Sequence, residues 1–148
     1  MYLTAHLIMA LIVGKLTKNY LAAIIGAFLI DIDHLIPFIR HGDIFNFKKL
    51  WQVVAEGKHI YNNPEKYLHS LFVWALISLV AVFINFHFGI ILSVAYLSHL
   101  FLDALNGPNY YFFYPLARIK IKGPVRYLSL SELFLTIILL GIYLFLLF

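Results

Sequence analysis

Long apolar runs alternate with short polar breaks along the whole chain, and the runs have the length of helices rather than strands. Two runs open the sequence, Met1 to Gly14 and Tyr20 to Ile30, divided by Lys15-Leu16-Thr17-Lys18-Asn19. They predict helices over about 2–16 and 19–34. A bilayer wants ~20 apolar residues, so each run is short, although snorkelling of Lys15 and Lys18 lengthens both. Whether this hairpin crosses the bilayer fully is left open. Its second limb ends in Asp31-Ile32-Asp33-His34, and Pro37 then stops the helix. Residues 35–63 form a polar connector with one patterned stretch, about 43–55, where Ile44, Phe47, Trp51 and Val54 recur at helical spacing beside Lys48 and Lys49. That pattern predicts either an amphipathic helix lying on the headgroups or a solvated helix packed on a neighbour.

The stronger signals come afterwards. Asn63-Pro64-Glu65 offers an N-cap, a first-turn proline and an acid, and predicts a helix over about 64–84. A break at Asn85-Phe86-His87 leads into a second run over about 88–105, closed by Asn106-Gly107-Pro108. Together they read as a transmembrane hairpin. A connector rich in aromatics, Tyr110 to Tyr114, suits an interfacial belt, and Arg118-Ile119-Lys120-Ile121-Lys122 has the alternation of a short strand with nothing to pair against. The last helix is predicted over about 129–148. The expected fold class is therefore all-α: an integral membrane bundle of four to five helices in a single domain over 1–148.

Composition agrees with that pattern and narrows the chemistry. Of 148 residues, 63% are hydrophobic and 12% charged, and the mean hydropathy is +0.89, too apolar for a soluble domain of this size. The N-terminus has neither a basic stretch nor a small-residue cleavage site and reads as a retained helix rather than a signal peptide. With no cysteine, disulfides and thiolate sites are excluded, and any metal must be held by imidazole and carboxylate. The pI near 9.3 reports membrane orientation in so apolar a chain, and no nucleic-acid partner is expected. Nine of the eleven Lys and Arg residues lie in the connectors 35–66 and 106–127. By the positive-inside rule those connectors and the N-terminus are cytoplasmic, in a multi-pass protein of the cytoplasmic (inner) membrane.

On this topology the ionisable residues of the helices gather at one membrane face. His6 starts the first helix, and Asp31, Asp33 and His34 end the second. His69 is expected one to two turns into the third, and His99 and Asp103 occupy the last turns of the fourth. His69 and Asp103 are each about 17 residues from the turn near residue 86, hence level. A charged group inside a membrane helix costs roughly 3 kcal/mol, which argues for a use. The i, i+4 spacing of His99 and Asp103 puts both on one helical face, about 6 Å apart, suited to one ion or a bridged pair. Asp31 shares a face with His34 if that segment is helical, and with Asp33 if it is extended.

Four motifs in order, Gly26-Ala27-Phe28-Leu29-Ile30-Asp31-Ile32-Asp33-His34, His69-Ser70, Tyr96-Leu97-Ser98-His99-Leu100-Phe101-Leu102-Asp103 and the early His6, resemble the YdjM family of membrane-bound proteins regarded as metal-dependent hydrolases. The resemblance covers most of the chain. It departs at Ile30, where the family usually has Pro, and at Leu68, where Thr often precedes His-Ser. The family is taken to be distantly related to zinc-dependent phospholipase C and its nuclease relatives, whose metal ligands include a His-x-x-x-Asp pair that His99 and Asp103 match. It implies metal ligands at His6, Asp31, Asp33, His34, His69, His99 and Asp103. It further implies one to three divalent ions, zinc or else manganese, and phosphoester hydrolysis; the depth of the cluster at the cytoplasmic face points to a phospholipid or other amphiphile as substrate, with a soluble phosphoester as the alternative.

Each position also has a plainer reading. His99 and Asp103 would serve equally to hydrogen-bond two helices together, and Asp31, Asp33 and His34 to solvate a helix end. Ser129-Leu130-Ser131-Glu132 fits the S-x-x-E capping box, so Glu132 is read as structural. His41, His59 and His87 fall in loops or turns and are not read as ligands. If metals are bound, a carboxylate not fully committed to them, with Asp31 the candidate, would take a proton from water. The basic residues Arg118, Lys120, Lys122 and Arg126 would attract a phosphorylated headgroup or the anionic leaflet. The rival readings are an ion transporter, disfavoured because the helices are apolar beyond the cluster, and a non-catalytic protein whose metal only staples its helices. The oligomeric state is not legible.

Overall fold

The first two helices are joined by a turn that the sequence builds locally. α1 (Leu3–Thr17) ends where Lys18 takes the left-handed conformation (φ 58°), which lets the Asn19 amide reach back to the Gly14 carbonyl at 3.1 Å. The Asn19 side chain then accepts from the Ala22 amide and caps α2 (Tyr20–Phe28). The computed structural model describes residues 3–43, 45–54, 67–105, 111–117, 119, 123–125 and 129–148. Within these the secondary structure is all helical, with no strands; apart from Ile119, the alternating segment 118–122 lies outside the described residues, as do 63–66.

Two predicted helices are altered. The helix expected over 19–34 is α-helical only to Phe28, then tightens into a 3-10 segment, Leu29–His34, that runs into α3 (Leu35–Arg40). Pro37 therefore does not stop the helical path; it sits in the first turn of α3, where its missing amide is tolerated. The helix expected from 64 begins instead at Leu71, as α5 (Leu71–Ile84). Ser70, not Asn63, caps it, its hydroxyl accepting from the Val73 amide at 3.2 Å. Tertiary contacts hold the preceding residues out of the helix: Asp33 takes the Leu68 amide, Tyr96 donates to the Leu68 carbonyl, and the Leu71 amide goes to the Phe112 carbonyl. The patterned stretch in the first connector is helical over Phe47–Val54, as α4. α6 spans Phe86–Leu105 and α7 Leu130–Phe145, the latter capped by Ser129.

α6 is the hub. It packs along α2, α5 and α1, while α1 also packs on α2 and α7. Small residues make the closest contacts: Ala22 and Ala23 of α2 meet Val13 of α1 and Ile91 and Ala95 of α6. Gly26 is required where α2 crosses α6, because a Cβ there would lie 2.4 Å from the Leu92 carbonyl oxygen. A second core joins α1, α6 and α7 through Ala5, Ile12, Leu102 and Leu139, and a third buries Ile30, Leu92, Tyr96 and Leu100 beneath Leu68, Leu71 and Trp74. The outer faces of α5 and α7 are aliphatic and aromatic, with Leu76, Leu79, Phe83, Phe134, Ile137 and Ile138 all exposed. Only α6, at 20 residues, is long and apolar enough among the described residues to cross a membrane; α1, α5 and α7 are shorter apolar helices.

Candidate functional site

Four separate pieces of chain deliver one cluster of imidazoles and carboxylates. His6 comes from the end of the first turn of α1, Asp31 and Asp33 from the 3-10 segment, His69 from the turn before α5, and His99 and Asp103 from the C-terminal half of α6. The i, i+4 spacing of the α6 pair brings His99 Nε2 to 3.4 Å from Asp103 Oδ2. The same oxygen is 3.4 Å from His69 Nε2, and the other, Oδ1, is 3.3 Å from His6 Nε2. Asp103 thus stands between three imidazoles. Asp31 Oδ1 closes the arrangement from the side, 3.6 Å from His99 Nε2 and 4.0 Å from His69 Nε2.

The rings are fixed by packing as well as by charge. His6 and His99 stack with centroids 3.7 Å apart and planes 16° from parallel, and His69 meets His99 edge-on at 5.8 Å. His6, His69 and His99 are buried, and so is Asp33; the Asp31 side chain, 28% exposed, is the most accessible of the group and marks its open side. The buried Nδ1 atoms of His6 and His99 have no hydrogen-bond partner among the described residues. Two sets of donor atoms, His6–His99–Asp103 and Asp31–His69–His99, each lie within 4.8 Å of one another and could hold a cation.

Asp33 has a different place from the one its sequence neighbours suggest. Its Oδ2 accepts the Leu68 amide and lies 3.4 Å from His69 Nδ1, behind the ring rather than among the converging donors. A carboxylate only accepts, so an Asp33–His69 hydrogen bond requires the proton on Nδ1, which would leave the Nε2 lone pair facing Asp103 and Asp31. Tyr96 completes this support, donating its hydroxyl to the Leu68 carbonyl at 2.6 Å. Its role is not evident from the motif alone, although a tyrosine three residues before His99 on an apolar helix must find a partner for its hydroxyl when buried. His69 accordingly lies before α5 and not inside it.

The His34 backbone ends the 3-10 segment, but its side chain lies outside the described residues, as do His59, Arg118, Lys120, Lys122 and Arg126. His41 and His87 are exposed and belong to neither donor set. Glu132 is fully buried in the first turn of α7, and Ser129 Oγ accepts its amide at 3.5 Å, the Ser half of a capping box. The end of α6 beside Asp103 is covered by residues 123–125: the Val125 amide donates to the Leu105 carbonyl at 2.9 Å, and a Cβ on Gly123 would collide with that peptide.

Among the described residues, an all-helical fold with exposed aliphatic helix faces and a convergent His/Asp cluster suits a helical, membrane-associated class of protein. The match to the family described as YdjM inner membrane protein runs over residues 2–148, and the chain belongs to that family. It is accordingly associated with the lipid bilayer of the inner membrane. No curated protein and no solved structure matches the chain significantly.

Proposed function

We propose that the protein is a membrane-embedded, metal-dependent hydrolase of phosphoester substrates. The cation would be held where the two donor sets, His6–His99–Asp103 and Asp31–His69–His99, meet at His99, with Asp31 at the open side. The observation that carries this reading is the spacing of the donors. Nitrogens and oxygens that share a tetrahedral zinc shell, with bonds near 2.1 Å, stand about 3.4 Å from one another. The His–Asp separations at Asp103 are 3.3, 3.4 and 3.4 Å. Three imidazoles from three chain segments also converge on the two oxygens of one carboxylate, more than a single hydrogen-bonded pair requires. The donor set, imidazole and carboxylate without sulfur, suits zinc or manganese.

A divalent cation held here supplies Lewis acidity, acidifying water and offsetting negative charge on a phosphoryl oxygen. The chain's own groups do the rest. Asp33 fixes the tautomer and direction of His69, as outer carboxylates do for metal-binding histidines. Asp31 lies farther from the imidazoles than Asp103 does and is the more exposed, which suits it to take a proton from water. The helices would cross the inner membrane as a bundle, with the cluster near the cytoplasmic face, where nine of eleven Lys and Arg residues sit in adjoining connectors. An amphiphile with a phosphorylated headgroup meets such a site without leaving the membrane.

The test is metal content by mass spectrometry on gently purified protein, wild type against His99→Ala/Asp103→Ala, followed by a phosphoester panel on the loaded wild type. Bound zinc or manganese that is lost in the double variant, together with turnover of a phosphoester, supports the proposal. Metal-free wild type after supplementation with divalent ions rejects it outright. Metal without turnover leaves a cation that ties four chain segments together and removes the hydrolase.

A further inference from the structure

After the 3-10 segment that carries Asp31 and Asp33, the chain passes through α3 into a stiff turn and then α4. The Asp43 amide donates to the Phe38 carbonyl at 2.9 Å, Asn46 Oδ1 accepts the Lys49 amide at 3.2 Å, and Lys49 Nζ pairs with Asp43 Oδ2 at 2.6 Å. This turn fixes where α4 projects. Among the described residues no other helix packs extensively on α4. Phe47 and Trp51, one turn apart on the same face, are 77% and 67% exposed, and Phe45 just before them is 84% exposed. Lys48 and Gln52 take the flank and Lys49 the far side.

Three large rings left in water beside lysines are an amphipathic surface that lacks its apolar solvent. We infer that this solvent is the bilayer interface: α4 lies along the headgroup layer, with Phe45, Phe47 and Trp51 in the acyl boundary and Lys48 toward lipid phosphates. At eight residues α4 is about 12 Å long, so it cannot cross a ~30 Å core and must lie along it. Tryptophan with lysine is the pairing that settles at that depth, and the bilayer association of the family supplies the surface. α3 follows the Asp31 segment directly and residues 41–46 lead on to α4, so the same placement would bring the open side of the His/Asp cluster toward headgroup depth. The inference rests on membrane association and stands whether or not the cluster binds a cation.

The chain has no cysteine, so single nitroxide labels can be introduced without background at Phe47→Cys, Lys48→Cys, Trp51→Cys and Gln52→Cys in protein reconstituted in phosphatidylethanolamine/phosphatidylglycerol vesicles. Collision rates with oxygen, which concentrates in the acyl region, are compared with those of a neutral nickel chelate, which stays in water. Labels at 47 and 51 are expected to favour oxygen severalfold over labels at 48 and 52. Equal access of the chelate to all four positions overturns the inference in favour of a solvated helix. Shielding of 47 and 51 from both reagents overturns it in favour of a protein partner, including a second copy of this chain. Should a labelled variant fail to fold, quenching of Trp51 by brominated lipid in the wild-type protein supports the inference, and its absence overturns it. The contribution of half-buried Trp74 is subtracted using Trp51→Phe.

Discussion

Asp33 stands behind His69, its Oδ2 3.4 Å from Nδ1 and also accepting the Leu68 amide, so one carboxylate oxygen orients both the ring and the peptide that carries it. Replacing Asp33 with alanine removes both contacts while leaving every converging donor in place. The expected result is a loss of metal affinity of about 10- to 100-fold, typical of outer carboxylates on metal-binding histidines. Asp33→Asn, which keeps one acceptor for the Leu68 amide, should lose less. Competition against a chromophoric chelator measures both. If both variants bind as tightly as wild type, Asp33 has no part in presenting His69.

Asp103 divides its two oxygens among three imidazoles drawn from α1, α6 and the turn before α5. A cation bound there ties these segments together and favours the folded state by mass action. At a free concentration one hundred times the dissociation constant the gain is about 2.7 kcal/mol. Zinc should therefore raise the apparent unfolding midpoint in detergent and a chelator should reverse it. Asp103→Asn should abolish most of this shift, and His41→Ala, at an exposed position outside the cluster, should keep it. An unchanged zinc response in Asp103→Asn would place the cation elsewhere.

Two glycines give opposite expectations from the same type of substitution. A side chain at Gly26 meets the Leu92 backbone and must push α2 off α6, carrying the Asp31 segment with it. Gly26→Val should cost about 1–3 kcal/mol, in the range of overpacked interiors, and weaken metal binding as well. At Gly141 a new Cβ meets nothing within 4 Å, so Gly141→Ala should raise stability by roughly 0.5–1 kcal/mol through helix propensity alone. Midpoints in a denaturant series on detergent-solubilised protein compare the two.

The residues that converge were legible because they follow from helix counting. His69 and Asp103 are each 17 residues from Phe86 at the turn, and His99 and Asp103 share a face by spacing alone. What was not legible depends on contacts between distant parts of the chain. The Asn63-Pro64-Glu65 signal is local and persuasive, yet the helix starts at Leu71, because Asp33, Tyr96 and Phe112 take the polar groups of Leu68 and Leu71 that a longer helix would have used. The 3-10 geometry of Leu29–His34 is similarly set by where Asp31 and Asp33 must reach. With the segment neither α-helical nor extended, both acids act on His69, from opposite ring nitrogens, which neither simple periodicity predicts. The covering of α6 by Gly123 and Val125 had no pattern to announce it beyond the glycine itself.

Tyr96 and Asp33 hold the two ends of one residue, the hydroxyl donating to the Leu68 carbonyl and the carboxylate accepting the Leu68 amide. The Tyr96 ring is fully buried among Ile30, Leu92 and Leu100, so Tyr96→Phe preserves the packing and deletes only the hydrogen bond. Alone it should cost about 1 kcal/mol, together with a modest loss of metal affinity as Leu68 gains freedom. Because both groups act through the same residue, Tyr96→Phe and Asp33→Asn should be coupled rather than additive. Once Asp33 has released the amide, losing the Tyr96 hydroxyl has less order left to destroy. A double-mutant cycle on metal affinity reads this directly, and an interaction energy of about 0.5 kcal/mol or more is expected for residues that share a partner. Strict additivity would mean that each group stabilises the turn before α5 independently, and that His69 is positioned by the packing of its ring against His99 instead.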